Sequence, residues 1–261
     1  MKMKKNKIFL ILLSLLITAC TNLTPDPQTA SPAPEFGSAL DLEVKKELLE
    51  IPLINDKNEK LNLNSFKGKT IVITPIFTSC DDICPLSAAN FRVAQEAIQA
   101  VKLDEKISLL LISIDPDKDS PERLAAYRKK LDLTDQVFLL TGTNEDINKF
   151  WDGFGIAREI KQATEGSENE HSEHKDWFTG EESSTEIVHS DGLFFISSDQ
   201  KLKFLRLGLP DVSKIQVNTG TKELLNDEVT NSLTKPVPGG WQASDVVRIL
   251  SWMLKTPIYI V

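Results

Sequence analysis

The stretch Phe77-Thr78-Ser79-Cys80-Asp81-Asp82-Ile83-Cys84-Pro85 follows a β-branched run from Thr70 to Ile76 and opens an apolar-periodic segment from Leu86 to Leu103. Two thiols therefore sit where a strand hands over to a helix. At a helix start the first backbone N–H groups lack intrahelical partners and the positive end of the dipole faces outward, which favours thiolate over thiol. A thiolate pair can exchange disulfides or hold a soft metal. Both chemistries stay open on this stretch alone.

Around it the pattern alternates strand and helix. Leu53 to Leu63 reads as two short strands about a polar turn, and Phe66-Lys67-Gly68-Lys69 turns the chain into a strand from Thr70 to Phe77. Periodicity predicts a helix at about Pro85 to Leu103, a strand at Ile107 to Ile114, and a helix capped by Ser120 with Pro121 at its first position, ending near Leu131. A strand at Val137 to Leu140, a helix from Asn144 to about Phe154, a hairpin of Leu193 to Ser197 with Leu202 to Leu207, and a helix at Ala243 to Leu254 complete it. The order βαβαβ then ββα predicts an α/β protein, similar to the thioredoxin-like arrangement: a central mixed sheet flanked by helices, with an added N-terminal hairpin. Pro75, inside the first long strand, implies a bulge just before the Cys loop. Two long insertions stand outside that minimum. Residues 161–186 are acidic and hold His171, His174, Trp177 and Phe178; residues 209–241 contain Pro236-Val237-Pro238-Gly239-Gly240.

The first residues read as an export signal. A basic segment to Lys7 precedes an apolar run from Ile8 to Ile17 and then Thr18-Ala19-Cys20. The end of this run resembles a bacterial lipobox, which implies removal of residues 1–19 and lipidation at Cys20; an ordinary signal cleaved at a small residue, or an uncleaved anchor, is the alternative. Residues 20–42 are rich in Pro, Ser and Thr and read as a tether, with the folded domain at 43–261. The setting expected is the periplasmic face of a bacterial membrane. Of 3 cysteines, Cys80 and Cys84 are then the thiols left in an oxidising compartment. The net charge is −8, and without Lys2, Lys4, Lys5 and Lys7 the balance is 26 basic against 38 acidic residues, or −12. Such a surface argues against nucleic acid as a partner.

Several motifs, in order, resemble the Sco/SenC copper-chaperone family. Thr78-x-Cys80-x-x-x-Cys84-Pro85 is similar to its Cys motif, Ser113-Ile114-Asp115-Pro116 with Asp119-Ser120-Pro121 to its next segment, and Leu140-Thr141-Gly142-Thr143 to the one after. Val188-His189-Ser190 occupies the place of the family's metal-binding histidine. The resemblance implies a membrane-tethered protein that binds copper, as Cu(I) or Cu(II), through Cys80, Cys84 and His189. It also implies a role in assembling the copper-bearing subunit of cytochrome c oxidase, or another periplasmic copper protein. The family often has an acidic residue before this histidine. Val188 departs from that, so Asp191 and Asp82 are the carboxylates expected to support the ligands. Asp82 and Asp81 otherwise serve simply as acids at a helix start. A thiol-disulfide oxidoreductase using Cys80 and Cys84 to reduce a copper-site client is the competing function. No catalytic residue beyond that redox pair is expected. His171-x-x-His174 reads either as a solvated acidic loop or as an auxiliary metal-capture site.

Overall fold

The structure, a computed structural model, describes residues 29–162, 175–181 and 185–260. Its elements in chain order are β1 (Ser38–Glu43), α1 (Lys46–Leu49), β2 (Leu53–Asn55), β3 (Lys60–Leu61), β4 (Thr70–Ile76), α2 (Ile83–Ala100), β5 (Ile107–Ser113), α3 (Pro121–Leu131), β6 (Val137–Thr141) and α4 (Asn144–Phe154). They continue with β7 (Arg158–Gln162), β8 (Thr185–His189), β9 (Gly192–Ile196), β10 (Lys201–Leu207), α5 (Thr219–Lys222), α6 (Asp227–Ser232) and α7 (Ala243–Leu254).

Eight strands form one mixed sheet in the order β1-β10-β9-β4-β5-β6-β2-β3, and β7 pairs with β8 separately. The parallel strands β4 and β5 are buried along their whole length, as their unbroken apolar and β-branched sequences require of strands covered on both faces. On the other side of β4 the antiparallel hairpin of β9 and β10 completes the order β10-β9-β4-β5. A βαβ unit beside a ββα unit in this order is the thioredoxin-like fold. α7 packs on α2, and its Trp252 meets Phe204 of β10 edge-on at 5.9 Å between ring centroids. Local chemistry sets the helix ends: Ser120 caps α3 and Thr143 caps α4, each accepting a backbone N–H three residues on, and α4 stops at Gly155 in the left-handed region (φ 73°).

Two expectations need correction. Pro75 causes no bulge, because β4 keeps an unshifted register with β5 through Pro75↔Ile112. The Ile76 carbonyl faces β5, where it accepts from the Ile114 N–H, so alternation turns position 75 toward β9. Pairing with β9 has already ended at Ile73↔Phe194, and the missing N–H costs no ladder bond. The tether expected to reach residue 42 enters the sheet earlier: residues 38–43 form β1 against β10. Its residues are mostly exposed, which hid it from a search for buried periodicity. The second insertion, residues 209–241, has structure of its own. It carries α5 and α6, and the Asn90 side chain joins it to α2 and α7 by donating to the Asp211 carbonyl (3.2 Å) and accepting from the Ala243 N–H (2.8 Å). Residues 1–19, Cys20, His171 and His174 lie outside the described residues.

Candidate functional site

β4 delivers the chain at Ile76 into a six-residue loop, 77–82, from which α2 departs with Cys84 as its second residue. The turn folds back on its own sulfurs. Cys80 Sγ accepts the Cys84 N–H at 3.3 Å, and Cys84 Sγ accepts the Phe77 N–H at 3.5 Å. Both thiols are free, with Cys84 1% exposed and Cys80 7%. Burial pushes the Cys84 thiol well above the usual range, helped by its hydrogen bond to Cys80 and by the charges of Cys80 and Asp191, against the Phe77 amide. The thiolate expected from the helix start is thus overruled at Cys84 by desolvation. A cation entering here must displace its proton.

His189 ends β8, opposite Arg158 in the hairpin with β7. Its Nδ1 lies 2.9 Å from the Ser190 carbonyl oxygen, which can only accept, so the proton is assigned to Nδ1 and the lone pair to Nε2. Nε2 is buried and has no hydrogen-bond partner. Burial holds the imidazole below its usual pKa, against the Ser190 bond, so the ring is neutral at pH 7. The ring stands edge-on to Phe77 with centroids 5.8 Å apart. Phe77 therefore touches both halves of the expected donor set, its amide the Cys84 sulfur and its ring the imidazole. Among the described residues, no three His, Cys, Asp or Glu side chains lie close enough to hold a metal as they stand.

The two supporting carboxylates bond elsewhere. Asp191 accepts from Thr74 Oγ1 (3.3 Å) and the Gly192 N–H (2.8 Å), its other oxygen is buried without a partner, and burial pushes it up to about 7. Asp82 stands at the cap position of α2 without a side-chain capping bond, and burial, then Asp81 and Glu228, raise its pKa. Neither bonds to Cys80, Cys84 or His189; Asp191 acts on Cys84 by charge alone.

Sequence reasoning missed a polar cluster just behind the Cys loop. Asp119 accepts the Thr78 N–H (3.1 Å), the Thr78 hydroxyl (2.5 Å) and the Ser113 hydroxyl (2.6 Å). Arg123, 3% exposed in the first turn of α3, donates Nε to Thr78 Oγ1 and both terminal nitrogens to Asp176 at 2.9 and 2.5 Å. Its guanidinium lies over Trp177 and Phe178, and the Trp177 indole N–H donates to the Thr78 carbonyl at 2.6 Å. The 175–181 segment thereby roofs the Cys loop. Between it and the second insertion lies a cleft of about 120 Å3, lined in part by Cys80, Asp81, Trp177, Leu224 and Asn226. The sequence signal available was Asp119 within the Asp-Ser-Pro motif, read there as a helix start and as part of the family resemblance but not as a buried acceptor.

The SCO1/SenC family model matches residues 49–203. The chain belongs to the SCO1/SenC family. A SCO1 protein homolog of Bacillus subtilis (strain 168) is 24% identical over 183 residues, covering 69% of this chain and 80% of its own. A SCO2-like protein of Rickettsia felis is 32% identical over 162 residues, 60% of this chain and 75% of its own. A protein of Stutzerimonas stutzeri named for copper binding is 26% identical over 131 residues, 50% of this chain and 62% of its own. Cys80, Cys84, His189 and the Asp119–Arg123–Asp176 cluster all fall inside the SCO1/SenC span. The second insertion, which walls the cleft, lies beyond it.

Proposed function

We propose that this protein carries one copper ion, held by Cys80, Cys84 and His189, and delivers it to, or prepares, the dinuclear copper site of cytochrome c oxidase or a similar periplasmic copper protein. The observation that carries this reading is the bare, buried Nε2 of a neutral His189, whose ring meets Phe77, the residue whose amide bonds to the Cys84 sulfur. A buried nitrogen without a donor is costly unless something fills it. Two sulfurs and an imidazole suit copper in either oxidation state, and the thiols favour Cu(I). The family resemblance and the copper-binding name of the Stutzerimonas relative support the same ion. Loading the site releases the Cys84 proton and draws His189 in toward the sulfurs across Phe77.

The lipid anchor at Cys20 and a position on the periplasmic face belong to the same proposal. No helix among the described residues is long and apolar enough to cross a membrane.

Anaerobic titration of the reduced protein with Cu(I) against a chromophoric chelator is the test. About one ion per chain is expected, with His189→Ala weakening retention by at least the roughly 10- to 100-fold that loss of an outer-shell partner costs. A second reading draws on the closeness of the two free thiols, with Cys80 Sγ accepting the Cys84 N–H. Cys80 and Cys84 would pass two electrons and two protons to a client disulfide and close their own S–S bond. That activity survives His189→Ala and needs no metal. Undiminished copper binding by His189→Ala overturns the three-donor site.

A further inference from the structure

The geometry points to Arg123 as a positioning residue that clamps the His189-bearing hairpin to the Cys loop and so sets the separation between the two halves of the donor set. This rests on the proposed copper site. Arg123 stands in the first turn of α3, yet its bonds run to two other segments. On one side is Thr78, two residues before Cys80 and itself fixed by Asp119 through amide and hydroxyl. On the other is Asp176, in the chain that joins β7 to β8, gripped by two parallel N–H···O bonds. Paired bonds of this kind fix orientation as well as distance. The side chains of the pair are 4% and 7% exposed, so water does not compete for them.

Asp176 also organises its own segment. Its Oδ1 accepts the Phe178 and Thr179 amides, while the Asp176 N–H donates to the Glu181 carbonyl and the Gly180 N–H to the Asp176 carbonyl. A closed turn results, and the Trp177 indole, stacked on Arg123 and 6.0 Å from the Tyr127 ring, is held onto the Thr78 carbonyl. Eight residues after that turn the chain reaches His189. Trp177 and Cys80 line the same cleft, so the clamp covers Cys80, whereas Cys84 is 1% exposed and does not line the cleft.

That asymmetry supplies a test free of metal. In the reduced protein, the rates at which iodoacetamide alkylates Cys80 and Cys84 are measured by peptide mass spectrometry for wild type, Asp176→Asn, Arg123→Lys and Trp177→Phe. Asp176→Asn and Arg123→Lys should speed Cys80 alone by several-fold. Trp177→Phe, which keeps the ring and loses one hydrogen bond, should do so less. Each variant should also lose Cu(I) to a chelator faster in the same order, on the order of tenfold for Asp176→Asn. Unchanged Cys80 alkylation in Asp176→Asn overturns the clamp, and so does a parallel rise at Cys84, which marks general loosening. If Cys80 opens selectively while wild type binds no copper, the clamp stands and the copper reading falls.

Discussion

Two buried carboxylates lie within one hydrogen-bond chain behind the Cys loop, and their environments drive them in opposite directions. At Asp176 burial raises the pKa, but Arg123 and the Thr179 and Phe178 amides together outweigh it and hold the carboxyl at about 2. Asp119 meets only neutral donors, Ser113 and Thr78, and burial wins, pushing it up to about 6. A raised folded pKa favours the protonated form, so the stability from Asp119 is complete below 3.8 and is lost as pH rises through about 6. Asp119→Asn removes the titration. Between pH 4 and 7, wild type should lose on the order of 2 kcal/mol relative to Asp119→Asn. Urea midpoints at both pH values check this, and parallel profiles for the two proteins would contradict it. None of this was legible in the sequence. A carboxylate in an Asp-Ser-Pro stretch looks like a solvated helix start, and its complete burial depends on the distant Thr78 and Ser113.

At the scale of elements, what could be read was what carries its own punctuation. α3 and α4 follow from a side-chain cap at one end, a left-handed residue at the other and an apolar face between, all local in sequence. β4 and β5 follow from unbroken apolar runs. β1, β7 and β8 escaped, since β1 is largely exposed and its partner lies far along the chain, at Ser38↔Leu205, while β7 and β8 sit at the borders of a polar insertion. Packing between elements is equally silent in the sequence. Gly153 sits inside α4, where alanine is ordinarily better by about 1 kcal/mol. Here an added Cβ would fall 2.2 and 2.7 Å from the two methyls of Leu48 on α1, which is itself buried. Overpacking of that kind costs about 1–3 kcal/mol. Gly153→Ala should therefore destabilise, by roughly 1 kcal/mol net, as read from the denaturant midpoint. A gain in stability would show that α1 yields freely.

For the molecule as a whole, the family resemblance named the residues proposed as donors, but it is the fold that brings β4's loop, α3's first turn and the segment between β7 and β8 together. The boundary of that fold matters too. β1 closes one edge of the sheet by pairing with β10, and Glu43 and Asp41 reach Lys201 and Lys203 across the pair at 3.2 and 2.9 Å. Those exposed ion pairs add little stability. β1 itself buries little apolar surface, so most of the stability lost with residues 29–43 is that of Phe36, which packs on the core beneath Arg248. The larger consequence is the edge left behind. β10 would present unpaired backbone groups flanked by Leu205 and Leu207, the latter 57% exposed, as a template for another strand. A chain beginning at Val44 should therefore self-associate in a concentration-dependent way while one beginning at Thr29 stays dispersed, as measured by size-exclusion chromatography with light scattering. If both remain equally dispersed, the lysines along β10 protect that edge without help from β1.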